Sequence, residues 1–521
     1  MPGHERLSSR ETDVAVVGSG FAGLLVAREL LRAGRDVTLV ERGGLKPHAS
    51  QLASGTQELD EPTTSHNHEA DPVTPHEWQY CYGVGGSSLR WAGVAPRLLP
   101  SDFQLQTRYA VGRDWPIGYS ELEPYYREAE RVLGVAAGAN PLFSEGKLGS
   151  LPPHPLSPLD RMLEPLLDPL VPLPQARATR SLSGRSECCA AATCELCPVD
   201  ARFSILHLLT DEGLLGHPRL ELVDCTAVAR LRTEGDGVDR LETIDARGNR
   251  ATIHSSTVVL AAGGLENPGI LLRSGLGGED VGRWLYDHGH RVLHVRLDRP
   301  VPNLRGSALV TGVSYAYAEG DWRSERGAQL VLPYNPGLNV AEEVERKISA
   351  GRRGRELARE VRDAFRHTLV LDTIGEDLPV RERSVELSPN KDGLGLPKNR
   401  IRYPADEGYL ERGRQHMYAD LEARLKTLGG RLEHVEVAAL GGHSLGACHM
   451  GHNSGVVDAD QRSHRFENLF VTGGSAFPSY GSAHPTLTIS ALAIRLGRML
   501  AGAPVPGATP VPGADNTREP Y

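Results

Sequence analysis

The sequence predicts an α/β protein in which a parallel dinucleotide-type sheet is interrupted by an inserted α+β domain built on an antiparallel sheet. Three observations predict it. An apolar β-branched run, Asp13-Val-Ala-Val-Val-Gly18, leads into the loop Gly18-Ser-Gly20-Phe-Ala-Gly23 and then into helical spacing. A change of texture follows at about 290–440, where strand-like runs alternate with charged helices. A second Gly-rich strand, Asn468-Leu-Phe-Val-Thr-Gly-Gly474, lies more than 400 residues from the first, flanked by His443 and His484. The two ends of the chain therefore belong to one site.

A helix over Phe21–Ala33 and a strand over Asp36–Val40 complete a β-α-β unit at 12–45. Gly18 and Gly20 allow the tight turn and the approach of backbone to a pyrophosphate, and Gly23 lets helix and strand pack closely. The helix start, Phe21 and Ala22, presents free N–H groups and partial positive charge to phosphate. Glu41, 18 residues beyond Gly23, is the expected acceptor for ribose hydroxyls, with Arg42 beside it. That pattern reads as a Rossmann-like unit; it does not by itself separate flavin from nicotinamide.

Residues 46–80 read as polar loop, and a helix is expected over Tyr119–Leu133 with Ser120 as N-cap. The Pro- and Leu-rich stretch 150–175 reads as an irregular lid. Strands are expected at Leu220–Val223, Ala227–Leu231 and Thr252–Leu260, the last running into a helix at Asn267–Ser274. In the inserted region, strands are expected at Arg291–Leu297, Gln329–Pro333, Thr368–Thr373, Ser384–Ser388 and Arg400–Tyr403, with helices near 341–366 and 408–428. The domain reading is 12–285 with 440–500 for the cofactor domain, including the lid and a Cys-rich segment at 100–200. The substrate domain is 286–439, and 502–521 is a flexible Pro-, Ala- and Gly-rich tail.

Composition narrows the function classes. A chain of 521 residues with 24% charged residues and a net charge of −9 gives no footprint for nucleic acid or an anionic membrane. No apolar run reaches the roughly 18 residues of a membrane span. The N-terminus lacks a basic-then-apolar leader, so synthesis for the cytoplasm is expected, with co-export beside a signal-bearing partner as the alternative.

Four motifs in order carry a family resemblance over nearly the whole chain. They are the N-terminal glycine loop, Gly85-Gly-Ser-Ser-Leu-Arg-Trp91, Val258-Val-Leu-Ala-Ala-Gly-Gly-Leu-Glu-Asn-Pro268, and the block from His443-Ser-Leu-Gly-Ala-Cys-His-Met-Gly451 to Ala483-His-Pro-Thr-Leu-Thr488. The chain resembles the glucose–methanol–choline (GMC) flavin oxidoreductases. Glu376-Asp-Leu-Pro, Val385-Glu-Leu-Ser and Asp392-Gly-Leu-Gly are similar to the pyranose oxidase and bacterial sugar dehydrogenase branch.

The resemblance implies a FAD-binding domain and oxidation of an alcohol group on a sugar or polyol. His443 would take the hydroxyl proton as hydride passes to flavin N5, and His484 would hold the substrate oxygen. The helix from Thr486 would turn its positive end to reduced flavin. Gly85, Ser87, Ser88, Arg90, Trp91, Val228, Gly263, Gly474 and Ser475 complete the implied cofactor contacts. Arg90 stands where some members carry a flavin-linking histidine, so FAD is expected to be noncovalent. His449, His288 and His290 are read as structural, because two histidines in Asp-His-Gly-His without further ligands do not make a metal site.

Cys188, Cys189, Cys194 and Cys197 fall within ten residues. They are similar to the segment that holds an iron–sulfur centre in bacterial flavin sugar dehydrogenases, one residue shorter between the last two, and would imply a cytochrome as electron acceptor. Four thiolates also suit zinc, and a metal-free cysteine turn is the third reading. Two alternatives to a dehydrogenase stay open: an oxidase using oxygen, and a non-redox lyase or photoenzyme on the same fold.

Overall fold

The computed structural model describes residues 8–54, 68–70, 77–191, 196–302, 309–404, 408–437 and 440–506. The first strand, β1 (Ser8–Val17), the helix α1 (Phe21–Arg32) and the strand β2 (Val37–Val40) form the expected unit. Val14 to Val17 and the whole of β2 are buried, because a parallel strand is covered on both faces. β1 pairs in parallel with β2 on one side and with the strand Arg250–Leu260 on the other. Leu220–Val223 extends the sheet beyond β2, and Leu469–Val471 pairs in parallel with the end of Arg250–Leu260. The C-terminal block thus joins the same sheet as the N-terminal loop. An antiparallel hairpin, Thr226–Glu234 and Gly237–Asp245, completes seven strands.

The last helix, Thr486–Leu500, packs on α1 and on the helix Tyr119–Leu133. Its closest approach uses Gly497, where a Cβ would lie 2.9 Å from that of Glu29. The Tyr119–Leu133 helix has the expected limits, but its N-cap is Gly118, whose N–H donates to Glu121, and not Ser120.

A second, six-stranded antiparallel sheet runs in the order Gly430–Val437, Gly289–Leu297, Thr368–Gly375, Gln329–Tyr334, Gly312–Tyr317, Leu170–Pro172. Strand alternation is clear in Gly289–Leu297, where Leu293, Val295 and Leu297 face a core shared with Met417, Leu421 and Leu425 of the helix Tyr409–Leu425. Four details differ from expectation. The lid stretch holds a short helix, Pro158–Leu163, capped by Ser157, and contributes a strand to this sheet. The helix near 341–366 is two, Val340–Ser349 and Gly354–His367, because Gly351 between them and Gly354 at the start of the second take positive φ. The pair Ser384–Lys391 and Pro397–Arg402 leaves the large sheet to join His68–Ala70, so the expected loop 46–80 also carries a strand. A helix, His48–Ser54, precedes it. Most of the expected tail lies outside the described residues.

No helix among the described residues is long and apolar enough to cross a membrane.

Candidate active site

The three glycines of the first loop do different work. A Cβ on Gly23 would lie 1.8 Å from the Gly18 carbonyl oxygen, and one on Gly18 would lie 2.6 Å from that of Ala261. Both are packing positions, and Gly18 adds a φ of +96°. A Cβ on Gly20 meets nothing within 4 Å. Gly20 is the N-cap of α1 and no side chain caps that end, so the helix turns it toward a space bordered by Gly86. Gly263, also at positive φ, likewise has no atom near its missing side chain. Backbone without side chains at a helix N-terminus is the surface an extended diphosphate needs, and the residues fit a dinucleotide there.

Ser19 was not singled out from sequence, yet it joins the two Gly-rich motifs. Its N–H and hydroxyl both donate to Glu41 Oε2, at 3.0 and 2.7 Å, and its oxygen accepts from the Gly85 N–H at 3.1 Å. Glu41 Oε1 accepts from Gly43 and Gly83. The carboxylate expected to meet a ribose is therefore also the brace of the loop. Burial raises its pKa against the lowering effect of these bonds. Arg42 turns away to Asp392, at 2.8 Å, and lies over the Tyr82 ring.

The remaining cofactor candidates line up along the same path. Phe21 meets Trp91 edge to face, and the Trp91 indole N–H donates to Phe203. Ala22 lies 3.6 Å from where a Gly473 side chain would begin. Ser87 and Arg90 are exposed, and Val228 is buried in its strand. Ser88 is spent inside the fold, donating to Gly85 and accepting from Ile205. Ser475 accepts from Asn267, and Gly474 approaches the Ser444 carbonyl too closely for a side chain. Thr486 begins the last helix.

His443 and His484 come together, their rings 5.4 Å apart and nearly perpendicular. The structure brings two more histidines to them: His288 at 4.9 Å and His290 at 5.9 Å from His443. His288 is buried and stacks on Tyr480 at 4.2 Å. Its Nδ1 lies 2.8 Å from the Tyr480 hydroxyl and 3.0 Å from His443 Nδ1. Asp287 Oδ1 accepts the backbone N–H of both His288 and His443 and lies 4.0 Å from His443 Nδ1. His290 Nδ1 lies 3.6 Å from Asp372. The Asp-His-Gly-His signal was visible, but only the fold shows that Gly289–Leu297 starts beside His443. His449 is a fold contact, 2.7 Å from an Arg113 guanidinium nitrogen.

Electrostatics keep most of this cluster neutral. Burial lowers His443 to about 4, with Asp287 opposing. Burial and the neighbouring imidazoles hold His288 and His484 well below the ordinary histidine range. At His290 burial also disfavours charge, but Asp372 and Asp287 outweigh it and the pKa rises.

The cysteines give a different result. Cys188 is half-buried, Cys189 exposed, and Cys197 Sγ accepts the Ala201 N–H. Cys194 lies outside the described residues, and among the described residues no trio of metal-competent side chains includes the other three.

Models of the GMC oxidoreductase family match residues 173–290 and 379–493, and a model of FAD dependent oxidoreductases matches residues 13–60. The chain is 30% identical to 6'''-hydroxyparomomycin C oxidase of Streptomyces lividus, over 95% of its own length and 92% of that protein. It belongs to the GMC oxidoreductase family. Fructose dehydrogenase large subunit of Gluconobacter japonicus is 28% identical, over 93% of this chain and 96% of that one. The crystal structure of a pyridoxine 4-oxidase superposes with a TM-score of 0.64 at 22% identity, covering 94% of this chain and 99% of the other. The fold is thus that of the GMC oxidoreductases, and the chain is a FAD-dependent enzyme of that family. Nothing in these likenesses supports an iron–sulfur centre.

Proposed function

We propose that this GMC oxidoreductase oxidises an alcohol group of a sugar or polyol, with His443 as the base. The observation that carries it is the meeting of His443 and His484 beside Asp287, at the junction of the sheet that ends in the glycine loops and the sheet that begins at Gly289. Relatives named fructose dehydrogenase large subunit and 6'''-hydroxyparomomycin C oxidase support the substrate class. Bound FAD would supply the two-electron acceptor for the hydride that leaves the carbinol carbon.

The contacts of His288 and His443 support a path for the proton. A neutral imidazole nitrogen either donates or accepts, so the contacts of His288 Nδ1 with Tyr480 and His443 are linked. With the Tyr480 hydroxyl donating, the His288 Nδ1 lone pair also accepts from His443 Nδ1–H. Asp287 near the same nitrogen favours that tautomer. His443 Nε2 then keeps its lone pair for the substrate hydroxyl. His484, whose Nδ1 has no protein partner among the described residues, can offer an N–H to the substrate oxygen as its proton leaves. Protonation of His443 would place an imidazolium near Asp287, which offsets the desolvation that keeps the resting ring neutral.

The name of one relative as a large subunit supports a partner protein, and Cys188, Cys189, Cys194 and Cys197 would be its iron–sulfur relay. An anaerobic screen of sugars and alcohols for flavin bleaching, followed by oxygen or a one-electron dye, tests both halves. Absence of bleaching with every alcohol would favour a non-redox use of the fold.

A further inference from the structure

We propose that the histidine cluster is also a binding site for a divalent transition-metal ion of the zinc type, which takes the place of the substrate hydroxyl and inhibits the enzyme reversibly. Ring nitrogens of His288, His290 and His443, one from each, all lie within 4.8 Å of one another. Around zinc, with bonds of about 2.0–2.1 Å, tetrahedral nitrogens sit roughly 3.3 Å apart. The trio therefore has to close by about 1.5 Å at most, which small ring rotations supply.

Two further observations point to a ligand. His288 Nε2 is buried and has no hydrogen-bond partner in the protein among the described residues; zinc there would shift the ring proton to Nδ1, from which the Tyr480 oxygen can accept it as a hydrogen bond. His290 stands against Asp372, and His443 against Asp287. A carboxylate behind a ligating histidine fixes the ring and strengthens its donor nitrogen, as metal-ligating histidines require. Three imidazoles leave a fourth position on the ion, which water would fill. Imidazole suits zinc, copper and nickel, whereas magnesium and calcium prefer oxygen ligands.

The inhibition half rests on the reading of His443 as base; the binding half does not. The test uses the full FAD-loaded chain, stripped with EDTA and dialysed into a non-coordinating buffer. Zinc chloride is titrated calorimetrically, with metal content measured after dialysis. We expect one zinc per chain at this site, with affinity lowered at least tenfold in Asp372→Asn and lost in His290→Ala and His290→Gln. Retained flavin absorbance in each variant certifies the fold. A Cys188→Ser/Cys189→Ser protein separates the thiols, and it should bind zinc at the histidines as the parent does. Zinc binding unchanged in both His290 variants, or lost only in the cysteine variant, overturns the proposal. With an alcohol that bleaches the flavin, zinc should raise the apparent KM at constant kcat, and EDTA should restore it. Zinc bound through His290 without effect on reduction would overturn the competition. Zinc binding in a protein that bleaches with no alcohol would uphold the site while the function fails.

Discussion

Gly20→Ala and Gly23→Ala are both one-methyl changes in one loop, and the structure gives them opposite outcomes. At Gly20 the backbone has φ −68° and ψ −166°, which any residue adopts, and the new methyl meets nothing within 4 Å. The unliganded protein should be as stable as the parent or gain about 0.4–1 kcal/mol, since alanine narrows the unfolded ensemble. The cofactor suffers instead. A methyl in the path of the diphosphate should cost about 1–3 kcal/mol, roughly 5- to 150-fold in Kd. Gly20→Leu should give colourless protein. At Gly23 the methyl would stand 1.8 Å from a backbone oxygen, and loop and helix must part by more than an ångström. Overpacking of this kind costs about 1–3 kcal/mol or more in the fold itself. The assay has two arms: thermal unfolding of deflavinated protein, and FAD binding by quenching of flavin fluorescence. Parental FAD affinity in Gly20→Ala would show that the diphosphate does not lie against Gly20. Parental stability in Gly23→Ala would show that the loop and helix are not in contact as described.

Four other outcomes follow from the same geometry. His443→Ala should retain FAD and slow anaerobic reduction by a factor of about 100 or more, the usual scale for a lost base; a near-parental stopped-flow rate would remove it from that role. His68, His154, His443 and His449, each lowered to about 4 largely by burial, should make the protein acid-labile. Their folded values lie below the unfolded value of about 6.5, so their contribution is full above that pH and falls away between 6.5 and 4, by up to about 3 kcal/mol each; a thermal midpoint that stays constant from pH 7 to pH 4.5 would contradict this. Arg323→Leu should cost about 3–5 kcal/mol, measurable by denaturant unfolding, because Asp102 and Glu376 are then buried without their cation. If the cysteines hold an iron–sulfur centre, fresh protein should contain iron and sulfide, and Cys194→Ser should remove both while sparing flavin reduction; metal analysis finding neither iron nor zinc would leave a cysteine turn.

The parts of the site legible in the sequence were those whose chemistry is local. Gly18, Gly20 and Gly23 are spaced by the turn they make, and the flanking periodicity identifies strand and helix without tertiary information. The Tyr119–Leu133 helix was legible for the same reason, although its cap was assigned two residues late: Glu121 reaches back to Gly118. Ser19 was not legible, since its hydroxyl matters only because the fold carries Gly85 to it. His288 and His290 were visible as a pair but not as part of a site, because the partners that give them meaning are about 150 and 200 residues away. The strand Ser384–Lys391 was found and its sheet was not, as a period-two pattern specifies a pleated surface and not a neighbour.

Closure of the chain on itself depends on a buried side chain within the third Gly-rich motif, Asn267. Asn267 is fully buried at the start of the helix after the Ala261-Ala-Gly-Gly turn. Its Oδ1 accepts the Ala262 N–H at 2.8 Å, while Nδ2 donates to the Thr472 carbonyl at 3.1 Å and to Ser475 Oγ at 2.8 Å. One amide thus ties the turn beside the first glycine loop to the C-terminal glycines, and the Gly264–Ser444 contact brings His443 down on the same turn. Aspartate there would supply only acceptors when ionised and leave the Leu260 and Thr472 carbonyls facing it, so the amide is required by the donor count and not by shape. His443 is thereby held relative to the cofactor loop through this junction, by a motif of small and polar residues that carries no chemistry of its own.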